Sequence, residues 1–153
     1  MTKSLKLPLE KFEKRELRRN KIKLSQIPEI SEMHLSEILK TSVKRSKKII
    51  AHAKIQQIPS IGPKLASNII KLGFYSLEDI KDQDGAHLTD LLEKRCGCWI
   101  DPCVEDQLRL VINYANNGDL GKKWWEFTKE RKIYREKNGY PTDRPTKACE
   151  KLF

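Results

Sequence analysis

The sequence predicts an all-α protein. Apolar residues recur at three- and four-residue intervals along most of the chain. Residue types that cap or stop helices stand at the ends of those stretches. No segment shows the convincing apolar–polar alternation of a strand.

Taken from the N-terminus, residues 1–8 are expected to be unstructured. Leu9 to Asn20 alternate Glu with Lys and Arg over a thin stripe of Leu9, Phe12 and Leu17, the pattern of a mostly exposed helix. The segment Leu17 to Lys23, LRRNKIK, reads either as a polybasic contact or as a solvated helix end. Met33 to Leu39 and Val43 to Ala53 read as two helices through Ile38, Leu39, Val43, Ile49 and Ile50. Ser76, with Asp79 three residues on, caps a short helix. Gly85 to Cys96 form the next through Leu88, Leu91 and Leu92, closed by Gly97. Asp101 and Pro102 start another, a carboxylate cap followed by proline at the first helical position. Its stripe is Val104, Leu108, Val111, Ile112 and Ala115, and Gly118 ends it. Trp124, Trp125 and Phe127 form an aromatic cluster. A last helix runs to about Lys137, after which Asn138, Gly139, Pro141 and Pro145 break regular structure.

At 153 residues the chain holds one domain, or two small ones sharing a core. The expected division is a basic N-terminal arm or helix over 1–24, a helical core over 25–118 and a Trp-containing basic tail over 119–153. No apolar run approaches the ~20 residues of a membrane span. Lys3, Lys6 and Lys11 interrupt every short apolar run at the start, so no signal-peptide core is present and a cytoplasmic protein is expected. Net charge is +10 and unevenly spread: +9 over 1–57, +2 over 58–75, −6 over 76–106 and +5 over 107–153. A polyanion would be drawn to the N-terminal half and the tail. The acidic middle block should face away from it or pair with a basic arm. Cysteines stand at 96, 98, 103 and 149. In a cytosolic chain they stay reduced, with Cys98 and Cys103 read as small buried thiols. C-x-C-x4-C is not zinc-ribbon spacing, so no metal and no cofactor is expected, although His34 and His87 are available to complete a site.

The stretch richest in information is Gln57 to Phe74, QIPSIGPKLASNIIKLGF. It reads as two short helices joined by a tight turn. Gly62 can take backbone angles that other residues resist, and Pro63 presets the first helical residue. Leu65, Ile69 and Leu72 recur at helical spacing and Gly73 is the stop. The first turn leaves the N–H groups of Gly62, Lys64 and Leu65 unpaired beside the Lys64 cation, which suits a phosphate.

Ile58, Pro59, Ser60, Ile61, Gly62 and Ala66 resemble the helix-hairpin-helix module, whose consensus is apolar-Pro-Gly-apolar-Gly-x-x-x-Ala. The resemblance implies that Ile61 fills the gap between the helices, that Ala66 lets them approach, and that the turn grips nucleic-acid backbone. Ser60 stands where the family usually has its first glycine. A degenerate copy lies 31 residues upstream: Gln26, Ile27, Pro28, Ile30, Ser36, Ile38 and Lys40 match Gln57, Ile58, Pro59, Ile61, Ser67, Ile69 and Lys71. In that copy Ser31 stands opposite Gly62, and Glu29 and Glu32 flank the turn. The first unit is therefore read as a structural partner and the second as the gripping unit. The fold expected is all-α, tandem helix-hairpin-helix repeats followed by a small helical C-terminal region.

The run from Ile55 to Trp125, with IPSIGPKLA, LGFYSLEDI, CGCWIDPCVEDQLRLVINYA and KKWW, resembles the bacterial pathogenicity-locus family of helix-hairpin-helix proteins. The Asp101 to Val104 segment, the Arg109 helix and the Trp pair carry the likeness. It implies a DNA-binding module and no catalytic activity.

The function expected is DNA binding without sequence preference, through backbone phosphates at Ile61, Gly62, Pro63, Lys64 and Leu65, with Lys71, Lys44, Lys47 and Lys48 as secondary contacts. The alternative is a scaffold that binds another protein, anchored by Trp124, Trp125 and Tyr134. A lid over the helical core is the competing reading of the tryptophans. Base stacking on single strands has no interleaved aromatic pattern behind it. Enzyme activity is not expected: Asp82-x-Asp84-Gly85 echoes a calcium loop with the wrong spacing, and no nucleophile or phosphate-loop fingerprint is present.

Overall fold

The computed structural model describes residues 4–150. Local capping chemistry sets most of the helix ends. Helix α1 is Lys11–Arg19; its Glu13 carboxylate accepts the Glu10 backbone N–H. Helices α2 (Glu32–Leu39) and α3 (Val43–Gln56) start at Ser31 and Ser42, whose hydroxyls accept from the N–H groups of His34 and Arg45. Helix α4 is Pro63–Lys71 and starts at Gly62. Ser76 caps the single turn α5 (Leu77–Ile80). Helix α6 (Gly85–Cys96) ends at Gly97 and α7 (Pro102–Asn117) at Gly118, both left-handed at φ 70°. A short 3-10 turn over Trp124–Phe127 leads into α8 (Thr128–Asn138). Among the described residues there is no strand, only an isolated bridge between Trp99 and Ala148. None of the described helices is long and apolar enough to cross a membrane.

Two apolar clusters organise these helices. One gathers Leu5, Leu17, Ile27, Leu35, Leu39, Ile49, Ile50 and Ala53. The other runs from Ile55 through the α3–α4 turn to α7 and Phe127. Helix α3 therefore serves both, with its first three turns in one and its end in the other.

The two 31-residue units share one helix start and differ otherwise. The second helices of both units begin at corresponding residues, Glu32 and Pro63. The first elements differ: Leu24–Glu29 is a 3-10 turn containing Pro28, whereas α3 has 14 residues. Pro28 corresponds to Pro59, which follows α3, so the proline does not account for the difference.

Three further expectations are refined or corrected. Residues 4–8 form no helix or strand, as expected, but they are packed onto the fold; residues 1–3 lie outside the described residues. Leu5 is buried, and the Gln56 side-chain amide pairs with both backbone groups of Lys6 at 2.9 Å each. Arg45 holds the Pro8 carbonyl and, through two bonds, the Glu13 carboxylate. The cysteines are not all reduced: Cys98 is bonded to Cys149, leaving Cys96 exposed and Cys103 half-buried. The left-handed turn at Gly97 and the bridge beside it bring Cys98 and Cys149 together, with Trp99 N–H donating to Lys147 O and Cys149 N–H to Trp99 O. The acidic block takes the second of its two expected roles and pairs with the C-terminal arm: Glu93 with Arg144, Glu105 and Asp90 with Arg135, and Asp106 with Arg131.

Candidate nucleic-acid interface

The turn between α3 and α4 is built from buried apolar residues on either side of a polar bend. Ile58, Ile61, Leu65, Ala66 and Ile69 are all buried in the second cluster. The backbone angle that needs special tolerance falls on Ser60, at φ 68°, and not on Gly62, which is extended at φ −112°. A serine in that region costs about 1 kcal/mol. Its hydroxyl offsets part of this by accepting the Trp124 N–H at 3.2 Å. The glycine expected at position 60 would supply the angle freely; here the serine supplies a hydrogen bond instead.

Gly62 matters for what it lacks. A Cβ placed there would meet nothing within 4 Å, so the space beside the start of α4 is open. No side chain caps α4, and among the described residues nothing accepts from the N–H groups of Gly62, Lys64 or Leu65. The first unit shows the contrast. There the Ser31 hydroxyl occupies the N–H of His34, the residue that corresponds to Leu65. Unpaired N–H groups and the positive end of the α4 dipole therefore coincide at Gly62 to Leu65.

The lysines divide. Lys64 and Lys71, seven residues apart on α4, line a common cavity of about 350 Å³ with Lys6, Leu7, Pro8, His52, Pro63, Ser67 and Asn68. No carboxylate lines it. Lys47 lies 5.1 Å from the centre of the Tyr75 ring, beyond the end of α4. Lys44 and Lys48 are outside the cavity; Lys44 sits twelve residues before the end of α3, about 18 Å along its axis. Lys6, His52 and Asn68 were not singled out in the sequence. They enter because the N-terminal arm is laid across α3 and α4. Burial, then the nearby Arg45 charge, holds the His52 imidazole below its ordinary pKa.

The tryptophans separate too. Trp124 packs half-buried on the core as a lid, while Trp125 is 55% exposed, edge-on to it at 5.6 Å between ring centres. No group of three or more potential metal ligands occurs among the described residues.

The sequence profile of the family described as Cdd1, pathogenicity locus, matches residues 47–133, more than half of the chain. The protein belongs to this family. The matched stretch takes in most of α3, the turn, α4 to α7 and the Trp pair. The N-terminal arm, α1, α2, Lys44 and the Cys149 end of the disulfide lie outside it. No curated protein and no solved structure matches the chain.

Proposed function

We propose that the α3–α4 pair is a helix-hairpin-helix unit that binds DNA through backbone phosphates, without reading bases. The observation that carries this is the set of N–H groups at Gly62, Lys64 and Leu65, unpaired among the described residues and beside open space. A phosphate there accepts these hydrogen bonds and meets the positive end of α4. Lys64 and Lys71 add charge on the same face. The upstream unit, with its hydroxyl-capped helix and acidic flanks, acts as the non-gripping half of a tandem pair. Pairing of the C-terminal arginines with the acidic block leaves the N-terminal half as the more available positive surface.

A gel-shift series over duplex, junction and single-stranded DNA at two salt concentrations tests this reading. A single turn engages few phosphates, so affinity is modest and falls by about 0.9 log units per log unit of salt for each phosphate neutralised. Absence of any salt dependence, or of any complex at low salt, would refute it. A second reading is favoured by one observation, the outward face of Trp125 next to Trp124: a protein partner seated there, in a complex concerned with DNA. Recovery of the same partner before and after nuclease treatment would support that reading.

A further inference from the structure

The cavity between the N-terminal arm and α4 holds two polar side chains that the protein itself leaves without work. Asn68 is only 2% exposed and lines the cavity, yet among the described residues it has no side-chain hydrogen-bond partner. Neither of its amide atoms is fully buried, so the amide stays open to a partner from the cavity. His52, 9% exposed, lines the same space from α3, and its Nδ1 is buried without a partner. A neutral imidazole carries one ring proton and can donate one hydrogen bond. Three lysines, Lys6, Lys64 and Lys71, line the same cavity, with no carboxylate among the lining residues. Neutral donors and cations together, with no acceptor charge, are the chemistry of a site for an anion of phosphate type.

We propose that this cavity is a second phosphate-binding subsite, one turn along α4 from the first and closed by the N-terminal arm. Asn68 stands four residues after Lys64, about 6 Å further along the helix. The Gln56 side chain bonds both backbone groups of Lys6, which keeps this lysine beside the cavity. The subsite thus joins a helix of the matched family stretch to an arm outside it. As a neighbour of the turn it rests on the DNA-binding reading for its natural ligand, but its affinity for phosphate does not. The phosphate comes either from within a strand or from a strand end.

NMR of the full chain tests the subsite. Inorganic phosphate, added against sodium chloride at equal ionic strength, is expected to shift the Asn68 side-chain amide and the His52 ring resonances in a saturable way. No shift beyond the chloride control overturns the proposal. Asn68→Leu and Lys6→Ala each leave the turn N–H groups in place. Each is expected to weaken binding of a short 5′-phosphorylated duplex three- to tenfold. Lys6→Ala should also flatten the salt dependence by close to one unit. Wild-type affinity and slope in a folded Lys6→Ala variant overturns it, and this variant decides the matter if Asn68→Leu does not fold. Shifts at Asn68 with phosphate but no DNA complex would uphold the subsite while sinking the DNA reading. With DNA bound, a response to 5′-phosphate but not 5′-hydroxyl duplex assigns the subsite to a strand end; an equal response assigns it to an internal phosphate.

Discussion

The backbone N–H of Trp124 donates to the hydroxyl of Ser60 across 64 residues, tying the aromatic lid to the bend before α4. Ser60 is left-handed at φ 68°, so its side chain carries both a cost and a bond. Ser60→Ala keeps the cost and loses the bond, and is expected to destabilise the protein by about 1 kcal/mol. Ser60→Gly loses the bond but relieves the strain, and is expected to fall within about 0.5 kcal/mol of the original. Urea unfolding of the two variants side by side checks the order.

The Cys98–Cys149 bond closes a loop of 51 residues in sequence. In the chain-entropy account such a loop contributes about 4 kcal/mol, and measured values commonly fall below that. Cys98→Ser should therefore lower the melting temperature, and so should reduction of the unmodified protein. Reduction should leave Cys98→Ser where it was. Equal effects of reductant on both proteins would exclude the bond as the cause.

Acid should act in two stages. His52 is held below its ordinary value of 6.5 by burial and Arg45, so the unfolded chain takes up that proton first. The stability this represents is present above about pH 6.5 and is lost as pH falls through the folded value. Glu13 is pushed up by burial, but the Arg45 bonds and the Glu10 N–H outweigh this and hold it below its ordinary 4.5. Its contribution is present above pH 4.5 and lost below it. Melting temperature against pH should fall below 6.5 and again below 4.5, and His52→Phe should remove the first fall only.

Arg135 is the centre of the pairing between α8 and the acidic block. It donates to Glu105 at 2.7 Å and Asp90 at 2.9 Å, and it reaches the carbonyls of Ala86 and Gly139. Arg135→Met leaves Glu105, which is buried, with Arg109 as its remaining partner. A loss of about 3 kcal/mol is expected by chemical denaturation. A change under 1 kcal/mol would show that Arg109 suffices.

Helix ends were legible because capping is local. Asp101-Pro102, Ser76 and the glycines at 97 and 118 each act on groups within a few residues, and each stands where the sequence places it. Partners distant in sequence were not legible. Nothing near Lys6 announces Gln56, fifty residues on, and nothing in the spacing of the cysteines announces Cys98 with Cys149. The pairing of the acidic block with the tail was one of two open choices, since charge signs do not fix which side chains meet. Ser60 was a visible departure from consensus, but its backbone angle is held by Trp124, which only the tertiary fold supplies. Of the candidate site, Gly62 to Leu65 and Lys71 follow from local pattern; Lys6, His52 and Asn68 required the fold.

Gly62 gives the most direct test of the central claim. Its backbone is extended and a Cβ there meets nothing, so Gly62→Val is expected to fold with an unchanged melting temperature within about 2 °C. The added methyl groups stand where a phosphate would approach the open N–H groups. Fluorescence anisotropy with a short duplex at low salt should show binding at least tenfold weaker than for the unsubstituted protein. Equal affinity and equal salt dependence in the folded variant would contradict the account.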